Sequence, residues 1–302
     1  MSPRRRGSLH RQQAMSTREG SITMTATDWA SGAQGTGHYA EVNGLNLYYE
    51  THGAGRPLIL LHGGLGSGEM FGPILPALAE RHQVIAPDLQ GHGRTADIDR
   101  PIDVRLMADD IAALIEHLGL DEPDLVGYSL GGGVALQTAI KYPAMVRRLV
   151  AASANIRRDA IYPEMLAQQG QVGAAAAEFM TDTPMYQLYQ RVAPRPEDFP
   201  RLLDKMGAAM AEDFDFTEEV RGLRVPTLLV EESQGDRREQ GGLVQVVVGE
   251  AGQDGERVTA LGSALPHPAA VAKAAVEQAE DLDVVAWRGH VCVGGDDQRR
   301  HL

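Results

Sequence analysis

The chain has 302 residues, 43% of them hydrophobic and 23% charged, with a net charge of −13. That length and composition fit an ordinary globular chain built on one large core, and the acidic balance argues against a nucleic-acid or anionic-membrane surface, which needs clustered Lys and Arg. The single cysteine, Cys292, excludes an intrachain disulfide and a Cys-rich metal site and fits a reducing, cytoplasmic setting.

No apolar run approaches the ~20 residues needed to span a bilayer, so no membrane association is expected. The first twenty residues, MSPRRRGSLHRQQAMSTREG, are basic at the start, but no apolar stretch follows them as a signal peptide would require. Residues 1–37 are rich in Ser, Thr, Gly and Gln and are expected to form a disordered tail, with Met15 or Met24 as a candidate natural start. Order is expected from His38. HYAEV and LNLYYET alternate polar and apolar residues and are joined by Asn43-Gly44, the pair that supplies the two positive φ angles of a type I′ hairpin. PLILL and HQVIAP are short continuous apolar runs, the pattern of strands buried on both faces, with a helix predicted between them from Ile74 to Arg81.

From Asp103 to Leu118, apolar residues recur at helical spacing (Leu106, Ile111, Leu114, Ile115, Leu118) and stop at Gly119. DLVGYS reads as a strand, LGGGVALQTAIK as a helix ended by Pro143, and VRRLVAAS as a strand again. Alternating strands and helices predict an α/β fold, a mostly parallel central sheet with helices on both faces. From 156 to 221 the alternation halts in Met-rich helical pieces broken by APRP and DFP. That stretch is too long for a plain connection and is expected to be an inserted helical cap, with Met165, Met180, Met185, Met206 and Met210 as packing. RVPTLLV then restores a buried strand. The expected organisation is a core in two parts, 38–155 and 222–302, around the cap.

Gly127-Tyr128-Ser129-Leu130-Gly131 is a G-x-S-x-G pentapeptide placed between a predicted strand and a predicted helix. The pentapeptide alone is a common chance match. In that context it marks a nucleophile elbow, whose tight turn lifts the serine hydroxyl above the sheet at a helix N-terminus, where developing negative charge is favoured. His62-Gly63-Gly64-Leu65 follows the PLILL strand, and a glycine pair there lets backbone amides approach an oxyanion. Gly64 and Leu130 are the candidate donors. Asp88 to Thr95, DLQGHGRT, reads as a tight structural loop beside the site.

LLHGG, DLQGHGRT, HLGLDEPDLVGYSLGG and VPTLLV, in this order and spacing over roughly residues 38 to 230, resemble the α/β-hydrolase superfamily. The resemblance implies the α/β-hydrolase fold with a helical cap, Ser129 as nucleophile, Gly64 and Leu130 as oxyanion donors, and no cofactor or metal. It gives His62 and His92 structural roles. It disfavours the dehalogenase and epoxide-hydrolase branches, which carry Asp at the nucleophile position, and points toward esterase-like and lactonase-like members.

A serine nucleophile needs an acid and then a histidine later in the chain. In VEESQGDRREQ the candidate acid is Asp236, with Glu231 and Glu232 as alternatives. In DLDVVAWRGHVCV, His290 follows a strand-like run and a glycine, and is favoured over His267, which lies between prolines. From Glu231 to Leu302 there is no Ile, Phe, Tyr, Asn or Met. This change in composition, directly after a strand of the family pattern, leaves two readings open: a frameshifted C-terminal region, or a divergent but genuine one. The expected function is acyl transfer to water from a small ester, lactone or related acyl substrate. The alternatives are a non-catalytic ligand-binding protein, or a C–C hydrolase or cofactor-free haloperoxidase of the same fold.

Overall fold

The computed structural model describes residues 35–233 and 243–249, the last three residues of the first span and all of the second as backbone alone. The expected tail up to residue 34, and Asp236, His267, His290 and Cys292, lie outside the described residues. β1 (Thr36–Val42) and β2 (Leu45–His52) form the antiparallel hairpin, with Asn43 at φ 47° and Gly44 at φ 81°. β1 starts at Thr36, paired with Thr51, two residues before the expected His38. Along β2 the alternation becomes burial: Leu45, Leu47 and Tyr49 enter the core.

β3 (Arg56–Leu61), β4 (His82–Pro87), β5 (Asp124–Tyr128), β6 (Arg148–Ala152) and β7 (Thr227–Ser233) form the parallel body of the sheet, in the order β4-β3-β5-β6-β7. β2 adds to β4 antiparallel. The apolar runs are two-sided because successive side chains leave opposite faces of a strand. In β3, Leu58 and Leu60 face Phe71, Ile74, Leu75 and Leu78 of the segment around α1 (Leu75–Ala79). Ile59 and Leu61 face the other layer, with Met107, Ile111 and Leu114 of α2 (Val104–Leu118) and Val134 and Leu136 of α3 (Leu130–Lys141). Each such side chain contributes roughly 1.5–3 kcal/mol by leaving water. α2 starts where Asp103 Oδ1 accepts the N–H groups of Arg105 and Leu106 at 2.6 and 3.2 Å, and it ends at Gly119. No helix among the described residues is long and apolar enough to cross a membrane.

At the far edge β8 (Leu243–Gly249) pairs antiparallel with β7. The nine residues between them are too few for the crossover that a parallel strand requires. Strand β7 itself runs on to Ser233. The alternative acids Glu231 and Glu232 therefore lie in a strand paired with Gln245 and Val244, not in the loop expected after it.

Between β6 and β7 lie α4 (Pro163–Gln169), α5 (Pro184–Val192), α6 (Phe199–Ala211) and α7 (Thr217–Arg221). α6 buries Phe199, Leu202, Leu203 and Met206, an i, i+3, i+4, i+7 stripe. Met180 and Met210 pack against the same core, whereas Met165 differs from its expected packing role and is 43% exposed. Charge also ties these helices to the sheet. Lys205 Nζ sits among four oxygens: Asp97 Oδ1 and Oδ2 at 2.9 and 2.7 Å, and the carbonyls of Ile98 and Arg100, each at 2.7 Å. Arg191 of α5 meets Glu69 at 2.6 Å, and Arg94 meets the same carboxylate at 2.6 Å.

The loops after β3 and β4 are set by buried polar groups. His62 Nδ1–H donates to Gly63 O at 2.8 Å, and Leu89 N–H donates to Nε2 at 3.0 Å. His92 Nδ1–H donates to Gln90 O at 2.8 Å. Asp88 accepts the N–H groups of Gly68 and Arg94 at 2.8 and 2.7 Å. Burial holds the His62 and His92 imidazoles neutral, down to about 3 and about 4, and pushes the Asp88 carboxyl up to about 7 against the two amides and Arg94.

Two outcomes follow. The folded histidine values lie below the ~6.5 of an unfolded chain, so their contribution is complete above that pH and is lost as pH falls toward 4. The folded Asp88 value lies above its unfolded ~3.9, so its contribution is complete at low pH and is lost as pH rises through 7. Between pH 7 and 5 each histidine removes on the order of 2 kcal/mol and Asp88 offsets about 2, so urea titrations should show a net fall of about 2 kcal/mol. Asp88→Asn should steepen that fall to about 4 kcal/mol. A stability that is flat or rises on acidification would contradict the burial of neutral imidazoles. Separately, Lys205→Met leaves the Asp97 carboxylate, 9% exposed, with Arg201 and Gln90 as its side-chain partners among the described residues. Its expected cost is about 1–3 kcal/mol, read as a lower urea midpoint at unchanged slope.

Candidate functional site

The parallel sheet presents the C-terminal ends of β3, β5 and β6 side by side, and the loops leaving those ends build the site. Ser129 is the single residue between β5 and α3. It has φ 52° and ψ −115°, a conformation that costs a non-glycine residue about 1–3 kcal/mol and persists only where the surroundings impose it. They do so from both sides. Ser129 N–H donates to Ala152 O of β6 at 2.8 Å, and Gly133 N–H donates to Ser129 O at 3.0 Å. The flanking glycines are demanded by close approach. A Cβ at Gly127 would overlap the Gly131 carbonyl, and one at Gly131 would overlap the Leu61 carbonyl. The turn leaves Ser129 exposed at the N-terminal end of α3.

Ser129, Leu130 and Gly64 line one cavity of about 200 Å³. Neither the Gly64 nor the Leu130 N–H has an acceptor among the described residues. Gly64 is held from below by the His62 loop and from above by α6, where the Met206 methyl occupies the space a Cβ at Gly64 would need. The remaining walls are mostly apolar: Ile102, Val104, Ile161, Met210, Phe214 and Phe216. Ser153 and Asn155, one and three residues beyond the end of β6, add polar groups to the lining, and Ser153 also has a positive φ of 53°.

The structure therefore brings together three of the residues expected from sequence. No histidine lines the cavity among the described residues. Both nitrogens of His62 are engaged by backbone, and neither His62 nor His92 lines the cavity, so neither is placed as a base. No group of His, Cys, Asp and Glu among the described residues is arranged to hold a metal ion. Sequence reasoning missed Ser153, Asn155 and Arg105 as cavity residues. The first two stand one and three positions after an apolar strand with no motif around them. Arg105 reads as an ordinary surface residue of a helix first turn. Met206 was legible as a packing residue of the inserted helices, though its position over Gly64 was not.

The geometry agrees with the comparisons. The family profile described as alpha/beta hydrolase fold matches residues 56–191. Over 117 residues the chain is 43% identical to a soluble epoxide hydrolase of Corynebacterium sp. (strain C12), covering 38% of this chain and 40% of that protein, so it spans well under half of that relative's length. It is 32% identical over 209 residues to the "Putative carbamate hydrolase RutD" of Azorhizobium caulinodans, covering 63% of this chain and 78% of that protein. Among solved structures, the epoxide hydrolase CorEH without ligand superposes with a TM-score of 0.53 at 26% identity, covering 66% of this chain and 82% of that one. On sequence, sheet order and elbow alike, the chain belongs to the α/β-hydrolase fold family.

Proposed function

We propose that the protein is a cytoplasmic serine hydrolase of a small ester, lactone or related acyl compound, with Ser129 as its nucleophile. The observation that carries this reading is the imposed backbone of Ser129 at the N-terminal end of α3, beside the Gly64 and Leu130 amides, which have no acceptor among the described residues. In the reaction, a histidine takes the Ser129 proton as Oγ bonds to the substrate carbonyl carbon. The Gly64 and Leu130 N–H groups hold the oxyanion of the tetrahedral intermediate. The protonated histidine then gives its proton to the departing alcohol, and water releases the acyl group by the same steps in reverse roles. His290, oriented by Asp236, is the proposed base, and both lie outside the described residues.

The epoxide-hydrolase relative raises a second reading, which the nucleophile opposes. A carboxylate that opens an epoxide forms an ester, which water can cleave. Serine opening an epoxide would form an alkyl ether, which a histidine-activated water does not cleave, so turnover would stop after one event. A carbonyl substrate is the one that serine can release.

The test is labelling of the purified full chain with a fluorophosphonate, read by intact mass. One adduct is expected on the wild type and none on Ser129→Ala. Ser129→Ala should also lower kcat on p-nitrophenyl acetate by about 10⁴-fold or more. A folded wild type that takes no label has an unactivated serine, and the ligand-binding reading then replaces this one.

A further inference from the structure

Arg105 stands in the first turn of α2 on the rim of the cavity that holds Ser129. Its guanidinium carbon lies 4.8 Å from the centre of the Phe216 ring, which is 5% exposed and lines the same cavity. The chain carries 41 Asp and Glu against 28 Lys and Arg, so carboxylate partners are plentiful. Arg94, Arg100, Arg147, Arg157, Arg158 and Arg191 all have one. Arg105 has none among the described residues. It is also the one cationic side chain among the described residues that line the cavity.

Three carboxylates share that lining. Asp103 is committed to α2, with Oδ1 accepting the Arg105 and Leu106 N–H groups. Asp213 is 99% exposed and 3.4 Å from Arg158. Glu212 is exposed just past the end of α6. Arg105, Glu212 and Asp213 are all exposed at the rim, and what distinguishes Arg105 is that its guanidinium is steadied by an aromatic face that belongs to the cavity. Stacking on a buried ring restrains the long side chain and leaves the planar fork of donors free. A carboxylate matches that fork with two parallel hydrogen bonds.

We infer that Arg105 binds a carboxylate on the substrate, at the end of the acyl group remote from the carbonyl that Ser129 attacks. The favoured substrates are then monoesters or lactone derivatives of short dicarboxylic acids. The carboxylate sits at the rim against Arg105, and the chain between the two ends crosses the apolar walls. This assignment rests on Ser129 being the nucleophile, and it makes Arg105 a specificity-determining residue with no part in bond making.

The experiment uses three p-nitrophenyl esters of similar chain length: butyrate, hemisuccinate and 4-(trimethylammonio)butyrate. kcat/KM is measured for the full chain and for R105M and R105K. The wild type should prefer hemisuccinate to butyrate by about tenfold or more, with the difference in KM. R105M should bring that ratio to about one, and R105K should keep part of it. The preference should weaken as salt is raised, since the site is at the rim. A wild type that favours butyrate or the cationic ester, or a hemisuccinate preference that survives R105M, overturns the inference. If no ester turns over and no fluorophosphonate adduct forms, the Ser129 reading fails by itself. Calorimetric titration of glutarate then decides Arg105 separately: about tenfold weaker binding to R105M supports the assignment, and no binding or equal affinity overturns it.

Discussion

The backbone of Ser129 is held where a side-chain-bearing residue does not go on its own, and much of the molecule can be read as what holds it there. The turn from β5 into α3 allows no connecting loop, so the strand must end against the helix. Gly127 and Gly131 must then pass within contact distance of each other and of the Leu61 carbonyl. Ala152 of the neighbouring strand closes the geometry by accepting the Ser129 N–H. A strained residue of this kind costs stability, and it survives because the two-sided core of β3, β5 and β6 is far larger than the cost.

Around that turn the supports are polar but buried. His62 joins the loop after β3 to the loop after β4 through one donor and one acceptor, which is possible only for a neutral imidazole. Asp88 joins the same two loops by accepting the Gly68 and Arg94 N–H groups, one on each carboxyl oxygen. These groups define the position of Gly64 and of the cavity floor, so their protonation states belong to the architecture of the site even though none of them lines the cavity.

The helices between β6 and β7 contribute by contact from above. On α6, Leu202, Lys205 and Met206 fall within about one turn of each other and reach three different loops of the sheet: Gly91, the 97–100 segment and Gly64. A rigid helix carrying all three couples the cavity roof to the amide that would hold an oxyanion. The Lys205 cradle sets the height of that helix, while the apolar stripe supplies most of the attraction.

Local chemistry made a good part of this legible without coordinates. Asn43-Gly44 implies a tight hairpin because it supplies two positive φ angles. Asp103 and Gly119 bracket α2 because one caps free amides and the other ends the helix in a left-handed turn. The strand–G-x-S-x-G–helix pattern implies the elbow because only that spacing lets the turn close. Each of these is a relation between neighbours, and a sequence states such relations directly. What only the tertiary structure decided are relations between distant residues. Lys205 reaches Asp97 across 108 positions. Met206 lies over Gly64, and Arg105 lies over Phe216. β8 returns antiparallel to β7. No periodicity encodes these, because they depend on the path of the chain through a sheet whose strand order differs from its sequence order, and that path is settled by the packing of all the elements together.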